Sequence, residues 1–260
     1  MDLQERITEA CLAPVGSMLP TRDMRVIERE GWYQLITPSS GSAIGNEVVH
    51  TQIAAADAEA VIDRTVEEYR ALGLPFKWFV GPLTEPANLG ELLAARGFDP
   101  SPLRGMAIDP RAWTTPPSPD GVTVEHVTRD SLSDYCAAWW RGWDMVIPDV
   151  PAWKDDHLRA IASGRFRLFL ARVNGEPAGT AGYIVKSRSV YLVGGNVLTS
   201  HRGRGIYRAL LDARLQQAAA ANIALATTHA REATSAPILE RLGFETLFRA
   251  QIYRSQPWPS

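Results

Sequence analysis

Apolar and polar positions alternate with two different periods along the second half of the chain. The apolar run 165–173 ends at Asn174-Gly175, a dipeptide typical of a two-residue hairpin turn. Upstream, apolar residues recur at helical spacing over 131–145, where Ser131 and Asp134 are spaced as a capping box. Downstream, the pattern predicts two strands, a long helix, a buried strand, a short helix ended by Gly243 and a last strand, over 178–187, 189–198, 206–221, 223–230, 235–243 and 245–254. This order of elements predicts a mixed α/β fold.

The first half ends in the same series of predicted elements. Strand patterns at 32–39 and 43–53 are followed by a helix, a strand, a helix and a strand at 57–73, 75–80, 86–98 and 101–109. An offset of 146 residues places Arg96-Gly97-Phe98 on Leu242-Gly243-Phe244. We therefore predict two tandem copies of one unit, each a central mixed sheet flanked by helices. Two unrelated α/β halves with similar spacing are the alternative.

A proline-rich segment marks the boundary between the halves. Residues 109–121 contain four prolines and end in Gly121, and proline at this density cannot continue a helix or a central strand. We predict a first domain at 1–112, a linker at 113–120 and a second domain at 121–260.

Composition narrows the class of protein. The 260 residues are 45% hydrophobic and 22% charged, which excludes a disordered or collagen-like chain. The formal net charge of −2 gives no general attraction to nucleic acid or anionic lipid. Cys11 and Cys136 lie in no metal-binding pattern, and no apolar run has the length of a signal peptide or a membrane span. We expect a bacterial, cytoplasmic monomer or homodimer without a metal, a nucleic-acid partner or a membrane partner.

The stretch 197–207 carries the clearest chemical signal. It leaves a predicted strand, makes a turn containing Gly203 and Gly205, and opens a helix. Glycines allow a close approach of the backbone to a ligand, and a helix start offers unpaired N–H groups and a positive dipole. Arg202 and Arg204 add positive charge at the same place. These features predict a pyrophosphate site; an ordinary turn with solvated arginines is the alternative.

This stretch resembles the GNAT family of N-acetyltransferases. RGRGIY after a strand is similar to the family's R/Q-x-x-G-x-G/A motif, and ILERLGF is similar to the end of its second motif. The resemblance covers residues 120–254 well and the first half as a degenerate copy. It implies two tandem GNAT-like units, acetyl-CoA as the coenzyme and acetyl transfer to an amine, with the second unit catalytic.

The resemblance also implies roles for individual residues. Backbone groups of the strand end would bind the pantetheine and hold the oxyanion, and the loop and helix start would hold the pyrophosphate. The implied coenzyme-binding residues are Val197, Leu198, Thr199, Arg202, Gly203, Arg204, Gly205, Ile206 and Tyr207. Tyr207 stands where the family has Gly or Ala.

Two departures from the family bear on proton transfer. The tyrosine that protonates the leaving thiolate would align with Leu239, and Gly194 and Gly195 stand where a strand glutamate often serves as base. Paired glycines in a strand indicate a bulge or a close approach of a ligand, and we expect them to border the substrate. His229 has a suitable ordinary pKa for a general base, and Glu232 would orient it or act itself. A surface-loop histidine is the alternative.

The helix before the sheet stands where the family forms its acceptor pocket. Trp143 and Asp144 are the predicted substrate contacts there, the carboxylate holding a cationic amine, although tryptophans at this spacing are often core. We expect an enzyme acting on a small-molecule amine. Two alternatives stay open: a non-catalytic acyl-CoA sensor or structural module, which the missing tyrosine and glutamate favour, and a protein N-acetyltransferase.

Overall fold

A computed structural model describes residues 1–15, 21–115, 117–147 and 149–256. The helices, in chain order, are α1 Leu3–Leu12, α2 Ala58–Ala71, α3 Leu89–Ala94, α4 Leu132–Trp143, α5 Val150–Ala162, α6 Ile206–Ala220 and α7 Ser235–Arg241. The strands are β1 Arg25–Arg29, β2 Trp32–Ile36, β3 Glu47–Val49, β4 Lys77–Val80, β5 Asp99–Ile108, β6 Val122–His126, β7 Phe166–Val173, β8 Glu176–Val185, β9 Val190–Val197, β10 Ala226–Arg231 and β11 Glu245–Arg254.

The chain packs into two compact units whose bounds differ from the predicted domains. One unit is Met1–Ala107 with His229–Ser260, and the other is Ile108–Thr228. The change between them falls inside β10. Residues 229–260, predicted to belong to the second domain, therefore pack with the first half of the chain. Pro116 of the predicted linker lies outside the described residues.

The first unit contains a sheet in the order β1-β2-β3-β4-β11-β5. β11 lies between β4 and β5 and is antiparallel to both, whereas β3 and β4 are parallel. Tyr69 of α2 stacks on Phe76 with ring centroids 4.0 Å apart, and both are fully buried with Trp78 of β4. These rings pack in one cluster with aliphatic side chains that include Ile36, Ile62 and Leu93.

The second unit contains a sheet in the order β10-β9-β8-β7-β6, in which only β9 and β10 run parallel. The predicted hairpin turn is confirmed, since Asn174 and Gly175 both have positive φ between β7 and β8. Helix α6 packs on β7, β8 and β9, and α4 packs on β8 and β9. No described helix is both long and apolar enough to cross a membrane.

The predicted capping box at the start of α4 is wrong. Ser131 precedes the helix, but its hydroxyl accepts a hydrogen bond from the backbone N–H of Thr128 instead of capping α4. Asp134 forms an ion pair with Arg172 at 2.8 Å. Both side chains thus bind residues outside α4, and neither caps its first turn.

Helices α4 and α5 share an aromatic layer built around a buried histidine. His157 is 1% exposed, and its ring lies 3.4 Å from that of Trp153 and 6.0 Å from that of Tyr135, centroid to centroid. Its Nδ1 donates to the Trp153 carbonyl at 2.8 Å. Burial lowers the pKa of His157 to about 4, because a charged imidazolium would lose its hydration there.

We predict that acid destabilises the fold through this residue. Below its unfolded pKa of about 6.5, His157 binds a proton more readily in the unfolded chain, so stability falls as the pH drops toward 4. Between pH 7 and pH 5 the loss from this group is about 2 kcal/mol. His157→Gln should lower stability at pH 7 but lose correspondingly less between pH 7 and pH 5, measured by denaturant unfolding. Equal losses in both proteins would contradict the assignment.

Candidate functional site

Strand β9 has a backbone edge that its neighbour β10 leaves open. β9 pairs with β8 along its length, but with β10 only at Val190 and Tyr191, opposite Ala226 and Thr227. Past this point, residues 192–197 have no strand partner on that side within the described chain. Four of these six residues are partly exposed, and only Leu192 and Asn196 are buried. An extended ligand could add to this edge as a further strand does.

A β-bulge lies in the middle of this open edge. Thr180 pairs with Asn196 and Gly182 with Val193, so Gly194 and Gly195 together face the single residue between Thr180 and Gly182 on β8. Gly194 has φ +62°, which a larger residue adopts only with strain. The bulge predicted from the paired glycines is confirmed.

At the end of β9, the backbone N–H and C=O groups of successive residues point alternately toward β8 and toward the open edge. The N–H of Leu198 donates to the Ala178 carbonyl at 2.9 Å, and its own carbonyl accepts from the His201 N–H at 2.8 Å. The N–H expected of Leu198 toward a coenzyme is therefore already used, which corrects that part of the prediction. Because neighbouring residues of a strand point their backbone groups to opposite sides, Val197 directs its groups to the open edge, where its carbonyl accepts a hydrogen bond from Arg202 Nε at 3.4 Å.

The turn after β9 leads into the start of α6 through two left-handed glycines. A single 3₁₀ turn, Thr199–His201, leads through Arg202 to Gly203 and Gly205, whose φ values are +76° and +75°. Gly205 is the N-cap of α6, and the first bond of the helix runs from the Ala209 N–H to its carbonyl. The N–H groups of 206–208 therefore precede the helical ladder, at the positive end of a fifteen-residue helix.

Space and charge around the turn fit a pyrophosphate. Apart from Gly203 and its two chain neighbours, no described residue has a heavy atom within 4 Å of the place that a Cβ on Gly203 would take. A Cβ on Gly205 would come to 2.7 Å from Pro119, so this glycine allows the turn to pack. Arg202 and Arg204 are exposed, and neither forms an ion pair with another described residue. The turn thus offers unpaired N–H groups and two unneutralised guanidinium groups.

The end of α4 lies against the other face of the bulge. Trp139 Nε1 lies 3.8 Å from the position of a Cβ on Gly194, and the rings of Trp139 and Trp143 are 6.4 Å apart. Asp144 ends the helix in the left-handed conformation with φ +51°, and its side chain is exposed. Trp143 and Asp144 therefore lie on the same unit as the bulge and the turn.

Sequence reasoning missed two polar residues in this region. Asn196 and Thr180 are paired across β9 and β8, are 8% and 0% exposed, and carry side-chain polar atoms with no hydrogen-bond partner among the described residues. A Cβ on Gly142 of α4 would come to 2.4 Å from the Asn196 amide oxygen. Polar residues within apolar strands were the available signal, because a buried polar group without a partner is costly.

His229 belongs to the first unit, where it packs between aromatic rings. It stacks on Phe79 at 5.1 Å and meets Phe248 edge-on at 5.9 Å, and its Nε2 donates to the Ala10 carbonyl at 3.0 Å. Burial lowers the pKa of His229 to about 4. It is thus a neutral, ring-packed side chain rather than a surface-loop histidine.

Glu232 is held in an ion-pair cluster of the same unit. Its carboxylate lies 2.7 Å from Arg104 and 2.7 Å from Arg249. Hydrogen bonds from these guanidinium groups lower the pKa of Glu232 to about 2, which makes it a weak proton acceptor. The catalytic roles of His229 and Glu232 stay predictions.

Comparisons with known proteins agree with this geometry. Residues 132–244 match the model of the acetyltransferase (GNAT) family. A GCN5-related N-acetyltransferase from Kribbella flavida superposes with a TM-score of 0.72 at 18% identity, covering 96% of this chain and 95% of the other. One from Sphaerobacter thermophilus gives 0.65 at 17% identity, covering 91% and 77%.

A tandem GNAT protein from the clavulanic acid biosynthesis pathway gives a TM-score of 0.61 at 16% identity, covering 93% of this chain and 86% of the other. Identities this low show a shared fold, and the predicted mixed α/β fold is confirmed. The match to the acetyltransferase (GNAT) family model covers residues 132–244, less than half of the chain. A comparison with curated proteins gives no match.

Proposed function

We propose, on the premise that residues 132–244 belong to the GNAT acetyltransferase family, that the protein transfers an acetyl group from acetyl-CoA to an amine of a small molecule. The observation that carries the proposal is the open edge of β9 running directly into an anion-binding turn at the start of α6. An elongated ligand with a pyrophosphate at one end matches that arrangement.

The coenzyme, when bound, supplies an acetyl group activated as a thioester. Val197 would hydrogen-bond its extended arm through the backbone, while the turn from Arg202 to Tyr207 would hold its pyrophosphate. Arg202 and Arg204 would neutralise the phosphate charge, since guanidinium groups bind phosphate oxygens in pairs. Thr199, in the 3₁₀ turn, leads the chain from one contact to the other.

The acceptor would bind beside the bulge, against the end of α4. Trp139 and Trp143 provide an aromatic wall, and the exposed carboxylate of Asp144 attracts an ammonium group. The amide of Asn196 and the hydroxyl of Thr180 lie behind this wall with unused hydrogen-bonding capacity. An amine that also carries a hydroxyl or amide group suits these residues, and we favour it over a protein chain for that reason.

The first half would not bind a coenzyme of its own. At the offset of 146 residues, Asp57 and Glu59 fall at the positions of Gly203 and Gly205 in the turn. Asp57 precedes α2 in a helical conformation, and Glu59 pairs with Arg96 at 3.1 Å. Carboxylates at a helix start occupy the place of an anion, so we propose one coenzyme per chain.

Gly203→Glu should weaken acetyl-CoA binding by at least about tenfold, because the new carboxylate enters the space and charge field of the pyrophosphate. Gly175→Glu is the matched control: Gly175 also has a left-handed backbone and open space, with φ +89°, but lies in the β7–β8 hairpin. Titration calorimetry should give one site in the wild type. Equal affinities in the two variants, or two sites per wild-type chain, would contradict the proposal.

A panel of amines, amino alcohols, amino amides and lysine peptides, assayed for thiol release from acetyl-CoA, tests the reaction itself. We expect release above the no-acceptor rate with small amines bearing a hydroxyl or amide, and its loss in Gly203→Glu. Release with peptides alone would indicate a protein acetyltransferase. Coenzyme binding without release for any acceptor would indicate a sensor.

We keep His229 as the candidate base, and its environment makes a specific prediction. A pKa of about 4 leaves His229 neutral at pH 7 and at pH 5.5, so its contribution should not change between them. The ratio of kcat/KM between the wild type and His229→Ala should be about 10² and equal at both pH values. Protonation of the acceptor changes kcat/KM of both proteins by the same factor, so it does not affect this ratio. A ratio near one would show that the base lies elsewhere.

A further inference from the structure

Arg214 is a buried cation that no carboxylate neutralises. It lies on the inner face of α6 and is 3% exposed. Its Nε donates to the Leu210 carbonyl at 3.0 Å and its Nη1 to the Gly182 carbonyl at 3.3 Å. In the described part of the chain it forms no ion pair. Because a buried charge without a counter-charge is costly, its retention calls for a physical reason.

The phenol of Tyr207 lies on the same face of α6 as the guanidinium group of Arg214. The two residues are two helical turns apart on α6, so they share one face. Both reach the bulge: Tyr207 Cε2 lies 3.3 Å, and Arg214 Nη2 3.7 Å, from the position that a Cβ on Gly195 would take. Burial lowers the pKa of Arg214, while attraction and hydrogen bonding to Tyr207 oppose that shift.

Gly195 connects this pair to the open edge of β9. A side chain at this position would meet the Tyr207 ring, so glycine lets the phenol and the guanidinium approach the bulged backbone. Negative charge that develops beside the bulge lies within a few ångströms of Arg214. In a water-poor interior such a charge is stabilised far more than in solvent.

We propose that Tyr207 and Arg214 form the site that receives the departing thiolate, with Tyr207 as the proton donor and Arg214 as the positioning residue behind it. The inference rests on the proposed function and adds the acid that it lacks. Leu239, where the family resemblance places the acid, is apolar and 2% exposed.

The proposed step balances in atoms and charge. The neutral amine forms the new C–N bond, the C–S bond breaks, and the sulfur keeps its electron pair and takes the proton of Tyr207 Oη. Arg214 stabilises the phenolate that remains. The candidate base His229 takes the surplus proton from the acylated nitrogen and releases it to solvent, solvent returns a proton to the Tyr207 phenolate, and the products are the amide and the free thiol.

Tyr207→Phe should lower kcat by about 10² while acetyl-CoA affinity by calorimetry stays within about twofold, because the ring remains and only the proton donor is lost. Tyr183→Phe is the matched control. It also removes a hydroxyl that contacts α6, bonded to Gln217 at 2.8 Å, but away from the bulge. Unchanged kcat in Tyr207→Phe, or an equal loss in Tyr183→Phe, would overturn the proposal.

A second measurement does not depend on turnover. A coenzyme thiol has a solution pKa near about 8.5, and a nearby cation favours its thiolate. At pH 8 the binding of CoA should release more protons than the binding of acetyl-CoA, which has no thiol, as measured by calorimetry in two buffers of different ionisation enthalpy. Arg214→Gln should abolish this excess, and Arg214→Lys should retain part of it.

These outcomes separate the two proposals. No excess proton release in a wild type that binds CoA would overturn the role of Arg214 but leave the proposed function intact. No binding of either ligand would overturn the proposed function itself. Should Arg214→Gln fail to fold, Arg214→Lys and Tyr207→Phe carry the test, with thermal unfolding as the check that both are native.

Discussion

The parting of β9 from β10 is the constraint on which the site depends. A parallel pair normally satisfies the backbone groups of both strands, yet here the pairing ends after Tyr191. Beyond it, the Leu192 carbonyl accepts from the Thr228 hydroxyl at 3.1 Å and the Val197 carbonyl from Arg202 Nε at 3.4 Å, so side chains rather than a strand contact this edge. Because the bulge lies within the same stretch, the exposed backbone is also bent, which brings α4 to one face of it and α6 to the other. A ligand that adds to this edge as an extended segment would thus continue the sheet at the point where β9 has no further strand partner.

The turn proposed to bind the pyrophosphate follows from the same strand. α6 starts at Ile206, nine residues after β9 ends at Val197, and the left-handed Gly203 and Gly205 allow the chain to turn within that distance. No side chain caps the helix start, so its N–H groups stay available. A serine or aspartate in place of Gly205 would gain only a few tenths of a kcal/mol as a cap, would be strained at φ +75°, and would occupy the place proposed for the phosphate. Glycine at this N-cap therefore serves both the backbone conformation of the turn and the access of a ligand to the helix start.

The sequence was informative where structure depends on local rules. The Asn174-Gly175 turn, the glycine end of α7 and the Gly194-Gly195 bulge all follow from backbone conformations that few residues can adopt. Helices α1 and α5 and strands β1 and β6 were not predicted. Strand β1, for example, is exposed at alternate positions and lies at an edge of its sheet, so its apolar signal is weak. The packing of β11 between β4 and β5 depends on contacts far apart in sequence, which no local pattern reveals.

The same distinction applies to the chemistry. Arg202 and Arg204 could be identified from a motif because their task, attracting a phosphate, is local to the turn. Arg214 could not, because on a helix it resembles any solvated arginine until the fold shows it buried beside Gly195. Exposed guanidinium groups act through a field that salt screens, whereas a buried one acts at short range in a medium of low polarity. The exposed pair is thereby suited to capturing a coenzyme and the buried one to stabilising charge that exists only while a bond is breaking. In the proposed mechanism the exposed arginines serve binding and the buried one serves turnover, and Arg214 on α6 lies beside Gly195 of the strand that β10 leaves unpaired.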